Sequence, residues 1–125
     1  MRKVLILIFM VSQPVFAELD DEMRDSLAQA HKKIEHKLKD ADSAKYRSEY
    51  LIEATRTDGS KHFGVCGEIN SKNSYGAYTG YVPYYVLGSQ SAIYSNSTKS
   101  DFTRWHSILC NKDFAKGRVI DVPDS

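Results

Sequence analysis

At 125 residues, 42% of them hydrophobic, the chain is long enough for one domain with a real but modest core. Its 17 Lys and Arg nearly balance 16 Asp and Glu. That balance excludes the clustered cations a phosphate-tracking surface needs, so no nucleic-acid partner is expected.

The chain opens "MRKVLILIFMVSQPVFAELDDEM". Arg2 and Lys3 precede an apolar run from Val4 to Val11, and Val15-Phe16-Ala17 supplies a small-residue cleavage site. This is the pattern of a secretory signal peptide over residues 1–17, with the mature chain beginning at Glu18. The apolar run is too short to span a bilayer, so no stable membrane insertion is expected after cleavage. No cysteine lies near the site, which disfavours a lipoprotein. The removed segment carries two of the cations and none of the anions, leaving a mature net charge of −1. The expected location is periplasmic or secreted.

From Glu18 to Lys39 the pattern is helical. Leu19, Met23, Leu27, Ala30, Ile34 and Leu38 recur at intervals of three and four and form one apolar face. Acids at Asp20, Asp21 and Glu22 and cations at Lys32, Lys33, Lys37 and Lys39 suit the two ends of the helix dipole. His31 and His36, five apart, do not share a metal-binding face and read as solvated. Asp42 or Ser43 is expected to cap a short helical turn before the period changes.

"YRSEYLIEAT", Tyr46 to Thr55, is rich in β-formers; "TDGS" supplies an Asp-Gly turn, and "HFGVCGEIN" reads as the returning strand of a hairpin. Alternation sends Phe63, Val65, Gly67 and Ile69 to one face and His62, Gly64, Cys66 and Glu68 to the other, unless Gly64 or Gly67 marks a bulge. A glycine-containing loop follows, then a strand over Thr79 to Leu87, a "GSQ" turn and a strand over Ala92 to Ser95. Pro83 argues that its strand lies at an edge or breaks there. In "STKSDFTRWHSILCN", Ser100 or Asp101 is the expected cap of a second helix, whose Phe102, Trp105 and Leu109 point to the core. "RVIDV" is a last strand or an ordered tail.

Cys66 and Cys110 are the only cysteines, 44 residues apart, with neither redox nor zinc spacing. In an exported chain they are expected to form one bridge. Closing such a loop stabilises a fold by roughly 3–4 kcal/mol in the chain-entropy view. The expected fold class is therefore α+β, with an N-terminal amphipathic helix packed on a small antiparallel sheet. A second short helix is tied to that sheet by the disulfide.

No catalytic or cofactor fingerprint is present, and no cofactor, metal or catalytic set is implied. The chemistry-bearing side chains that remain are Glu68 with His62 or His106, the raw material for a small hydrolase without a supporting motif. The segment "NSKNSYGAYTGYVPYY" is more suggestive. Its tyrosines cannot all be buried cheaply, because each hydroxyl needs a partner, and Tyr with Ser, Gly and Asn is a paratope-like composition. Asn70, Lys72, Asn73, Tyr75, Tyr78 and Tyr81 are the candidate binding residues. Alternation places Val82 and Tyr84 toward a buried face with Leu87 and Ile93, and leaves Tyr78, Tyr81 and Tyr85 as the more exposed set. The alternatives are tyrosines that merely cover the sheet, or rings that stack on sugar.

Together, "KDADSAKYRSEY", "VCGEINSKNSYGAYTGY" and an aromatic-rich helix ending in a second cysteine resemble a group of small exported bacterial and prophage-borne proteins of uncharacterised function. The resemblance spans residues 37 to 110, and "CGEINSKNSYGAYTGY" is its most specific part. It implies a bacterial envelope protein of this build and brings no activity or catalytic residue with it. The expectation is a non-enzymatic binding module of the inhibitor, immunity or exclusion type, contacting an envelope protein or glycan. A structural accessory protein and the hydrolase are the alternatives.

Overall fold

Helix α1, Asp21–Glu35, begins where Asp20 accepts a hydrogen bond from the Met23 amide at 2.8 Å, satisfying one of the orphan donors of the first turn. Met23, Ala30 and Ile34 are buried, with Leu19, Leu27 and Leu38 packed against the same cluster. That is the face the apolar spacing picks out. The helix is shorter than the periodicity, because the Lys37 and Leu38 amides turn back onto Ile34 and Glu35. The computed structural model describes residues 19–113 and 118–124, with positions 4, 6 and 8. The expected cleavage site at Ala17 lies outside the described residues.

A single 3-10 turn, Ala41–Ser43, leads into the sheet. Neither Asp42 nor Ser43 is its N-cap; that position is Asp40, and Ser43 closes the turn by donating its hydroxyl to the Asp40 carbonyl at 2.7 Å. Five strands follow: β1 Lys45–Thr55, β2 Lys61–Asn70, β3 Val82–Leu87, β4 Gln90–Ile93 and β5 Val119–Asp121. They form one sheet in the order β4-β3-β2-β1-β5, every neighbouring pair antiparallel. The architecture is α+β.

α1 covers one face of the sheet. Its side chains meet Leu51, Val65, Ile69, Tyr84, Val86 and Ile120 in the larger core cluster. The second helix, α2, Lys99–Leu109, lies on the opposite face, where Phe102 packs with Tyr85, Cys66 and Cys110. Cys66 of β2 and Cys110 at the end of α2 are joined by a disulfide, with Cα atoms 5.9 Å apart. The Tyr50 hydroxyl donates to the Cys110 carbonyl at 2.6 Å and ties the same corner to β1.

Four expectations are corrected. Pro83 sits in an inner strand, yet its carbonyl accepts from the Tyr94 amide at 2.9 Å, one residue past the end of β4. A residue's N–H and C=O share a side in an antiparallel strand, so the missing donor falls where the neighbour has ended. α2 starts earlier than expected: Thr98, not Ser100 or Asp101, is at its N-cap position. Trp105 is 41% exposed instead of core, because Phe102 and Leu109 already fill the α2 contact with the sheet. Leu87 lies away from Val82 and Tyr84, on the face where a Cβ at Gly64 would meet it at 2.6 Å.

β2 alternates as expected and neither of its glycines is a bulge. The irregularity is in β1: the register slips between Arg47 and Tyr50, and Ser48 has φ +53°. The extra residue puts Tyr46 and Glu49, three apart, on the same face of the sheet as α1.

Candidate functional site

The link from Asn70 to Tyr81 is a closed structure held by its own side chains. Asn73 Oδ1 accepts from the Tyr75 and Ala77 amides at 2.9 and 3.2 Å, and Asn70 Oδ1 accepts from Gly80 at 3.0 Å. Backbone bonds from Asn73 to Ala77 and from Gly76 to Asn73 close the tip, with Gly76 at φ +78°. The loop is bound to the turn before β1 by the Lys72 amide on Ser43 Oγ and by the Tyr78 hydroxyl on the Ser43 carbonyl. Two of the six candidate residues, Asn70 and Asn73, therefore have their side-chain oxygens committed to the loop itself.

The other four point in useful directions. Tyr75 is 94% exposed at the tip. The Tyr78 ring, 40% exposed, has the Lys45 and Lys72 ammonium groups 4.6 and 5.4 Å from its centroid. Arg47 lies 3.9 Å over Tyr81 and bonds Glu68 at 3.2 Å, while Lys39 donates to Ser74 at 3.0 Å. The outcome is a rigid loop with one uncovered aromatic, bordered by cations held on rings. Tyr85, expected in the exposed group, is instead buried against Phe102 at 5.4 Å between centroids.

A second constellation lies behind Tyr81. Glu49, with only 8% of its side chain exposed, accepts from His31 Nε2 at 2.6 Å and from the Tyr84 hydroxyl, both on Oε2. His31 stacks on Tyr46 with ring centroids 3.7 Å apart, and the Tyr46 hydroxyl donates to Glu35 at 3.1 Å. Burial, reinforced by the neighbouring carboxylates, raises the pKa of Tyr84 and of Tyr46 well above the ordinary phenol value. Room for Glu49 comes from Gly67, where a Cβ would stand 2.7 Å from Glu49 Cγ and 3.2 Å from the Tyr84 ring. A cleft of about 490 Å³ opens above it, lined by His31, Lys45, Tyr46, Glu49, Tyr81 and Asp124 among others.

Sequence reasoning missed this cluster and read His31 as solvated. His31, Glu49 and Tyr84 come from three separate elements, so no local spacing links them. The one available signal was an acid, Glu49, inside a run of β-formers facing a mid-strand glycine.

Glu68 and His62 are not brought together. Glu68 is paired with Arg47, and His62 lies six residues along the same strand, about 20 Å away at strand rise. His106 stacks on Phe102 at 5.2 Å, and burial lowers its pKa. Among the described residues no group of three His, Cys, Asp or Glu side chains is placed to hold a metal ion, and no helix is long and apolar enough to cross a membrane. No protein-family model matches the chain, nor does any characterised protein or solved structure.

Proposed function

We propose that this is an exported bacterial envelope protein that works as a non-enzymatic binding module, of the inhibitor, immunity or exclusion type. The observation that carries the reading is Tyr75, an uncovered aromatic on a loop already locked by Asn70 and Asn73. A preformed loop loses little conformational freedom on binding, and a rigid aromatic is the side chain that most often anchors an interface. Lys45 and Lys72 lie over the Tyr78 ring and Lys39 bonds Ser74, and among the described residues none of the three has a carboxylate within ion-pair distance, so a partner surface with acceptor groups is favoured. The disulfide fits an oxidising compartment, as the N-terminal segment suggests. The partner is an envelope protein or glycan, and the hydrolase alternative has no observation in its favour.

The test uses the mature protein as cross-linking bait in periplasmic extract, read by mass spectrometry. A stoichiometric partner captured by the natural chain and lost with Tyr75→Ala supports the proposal. Equal capture by both proteins, or no partner for either, counts against it.

A further inference from the structure

Three ammonium groups around the 70–81 loop rest on uncharged partners. Lys45 and Lys72 both lie within 5.4 Å of the centre of the Tyr78 ring, and Lys39 donates to Ser74 Oγ at 3.0 Å, one residue before Tyr75. Among the described residues no carboxylate comes within ion-pair distance of any of the three. Asp40 and Asp42 stand in the adjoining turn without reaching them, and Glu68 is engaged by Arg47. The loop therefore sets three positive charges around one uncovered aromatic and answers none of them with a negative charge.

These positions are fixed before any partner arrives. Lys72 is bridged to Tyr78 across the loop, the Lys72 amide donates to Ser43 Oγ at 2.8 Å, and the Tyr78 hydroxyl donates to the Ser43 carbonyl at 3.0 Å. Lys45 opens β1 two residues after Ser43, so one turn joins both lysines to the ring they share. A long side chain already resting on a ring has less rotamer freedom to lose when it meets a partner. An exposed cation–ring contact is also weaker than a close ion pair enclosed in an interface, so a carboxylate from outside can take its place with a net gain.

We infer that the partner of this loop is a protein with an acidic contact surface, whose carboxylates meet Lys39, Lys45 and Lys72 around the Tyr75 ring. The inference rests on the binding-module reading and narrows its partner from protein or glycan to an acidic protein. A neutral glycan leaves all three ammonium groups without a counter-charge. An anionic membrane is met by several large apolar side chains beside the cations, and the loop tip offers a single tyrosine. A polyanionic chain needs a longer cationic track than three lysines, and the 17 Lys and Arg of the chain stand against 16 Asp and Glu. A compact aromatic anchor with a charged rim is the anatomy of a protein interface.

The test titrates the isotope-labelled protein with a decaglutamate peptide and follows amide and lysine-ammonium NMR shifts. Decagalacturonate, of equal charge, and phosphatidylglycerol vesicles are the glycan and lipid arms. Saturable shifts at Lys39, Lys45, Lys72 and Tyr75 are expected, with the peptide bound most tightly. The double variant Lys45→Gln/Lys72→Gln, and salt raised to about 0.5 M, should each weaken the peptide titration about tenfold. The inference is overturned if the peptide shifts none of these residues at about 5 mM, far above any useful affinity. It is equally overturned if the double variant titrates like the natural chain, or if the glycan or the vesicles bind there more tightly. Cross-linking in periplasmic extract then separates this failure from failure of the binding-module reading. A protein partner captured by the natural chain and lost with the double variant supports the inference. A partner kept by the double variant but lost with Tyr75→Ala removes the acidic surface and leaves the module standing, and capture indifferent to both variants ends both readings.

Discussion

Tyr84 and Tyr75 are nine residues apart, and the fold uses them in opposite ways. Tyr84 is wholly buried, its ring in the α1-side core and its hydroxyl on the Glu49 carboxylate. Tyr75 is almost wholly exposed, and only its backbone amide is engaged, by Asn73. What separates them is the backbone around each: a central strand with a partner on both sides for one, and a glycine-assisted loop tip for the other. In one tyrosine-rich segment, the sheet end supports the fold and the loop end leaves its ring in solvent.

The sharpest way to break this comparison is to truncate the buried member. Tyr84→Ala removes the largest fully buried side chain and leaves Glu49 short of a donor, and it should cost roughly 3–5 kcal/mol of folding stability in chemical denaturation. A loss below about 1 kcal/mol would show that Tyr84 is no more structural than a surface residue. On the α2 side a covalent link joins the packing of Cys66, Tyr85, Phe102 and Cys110. Cys66→Ser should lower stability by roughly 2–5 kcal/mol, with peptide mapping of the natural chain recovering a Cys66–Cys110 peptide and no free thiol.

A third prediction uses pH. The folded chain holds the Tyr84 and Tyr46 protons above the ordinary phenol pKa of about 10, at which the unfolded chain releases them. Above that pH the folded state binds more protons than the unfolded one, so stability is full below it and falls as pH rises. The slope approaches about 1.4 kcal/mol per pH unit for each such group. Tyr84→Phe should flatten the alkaline loss measured by denaturation between pH 9 and pH 11 (a range chosen around that pKa of about 10). An unchanged slope would remove Tyr84 from the linkage.

Much of the fold was legible in the sequence because its determinants are local. The α1 face, the β1–β2 hairpin with its Asp-Gly turn, the alternation of Phe63, Val65, Gly67 and Ile69, and the cysteine pair depend on neighbours or on simple counting. Pro83 misled because its edge is only one residue long, a detail set by where β4 stops. Trp105 misled because helical spacing cannot tell how wide a stripe the sheet will cover. The candidate site divides the same way. The loop's composition marked it as a unit, but the inward roles of Asn70 and Asn73 needed the turn geometry. The Glu49 cluster needed a bulge and contacts 18 and 35 residues apart, for which the sequence carries no periodic signal.

The smallest expected effect on stability belongs to the residue of greatest functional interest. Tyr75→Ala should change the thermal midpoint little, within about 0.5 kcal/mol, as surface truncations do. The direct measurement is partner affinity of the natural and Tyr75→Ala proteins, by calorimetry on the partner recovered from cross-linking, beside melts of both. A loss of about 1–2 kcal/mol in binding, roughly tenfold or more, at unchanged stability is the predicted result. Undiminished affinity, or a variant that melts far below the natural chain, would contradict the claim that this loop exists to present Tyr75.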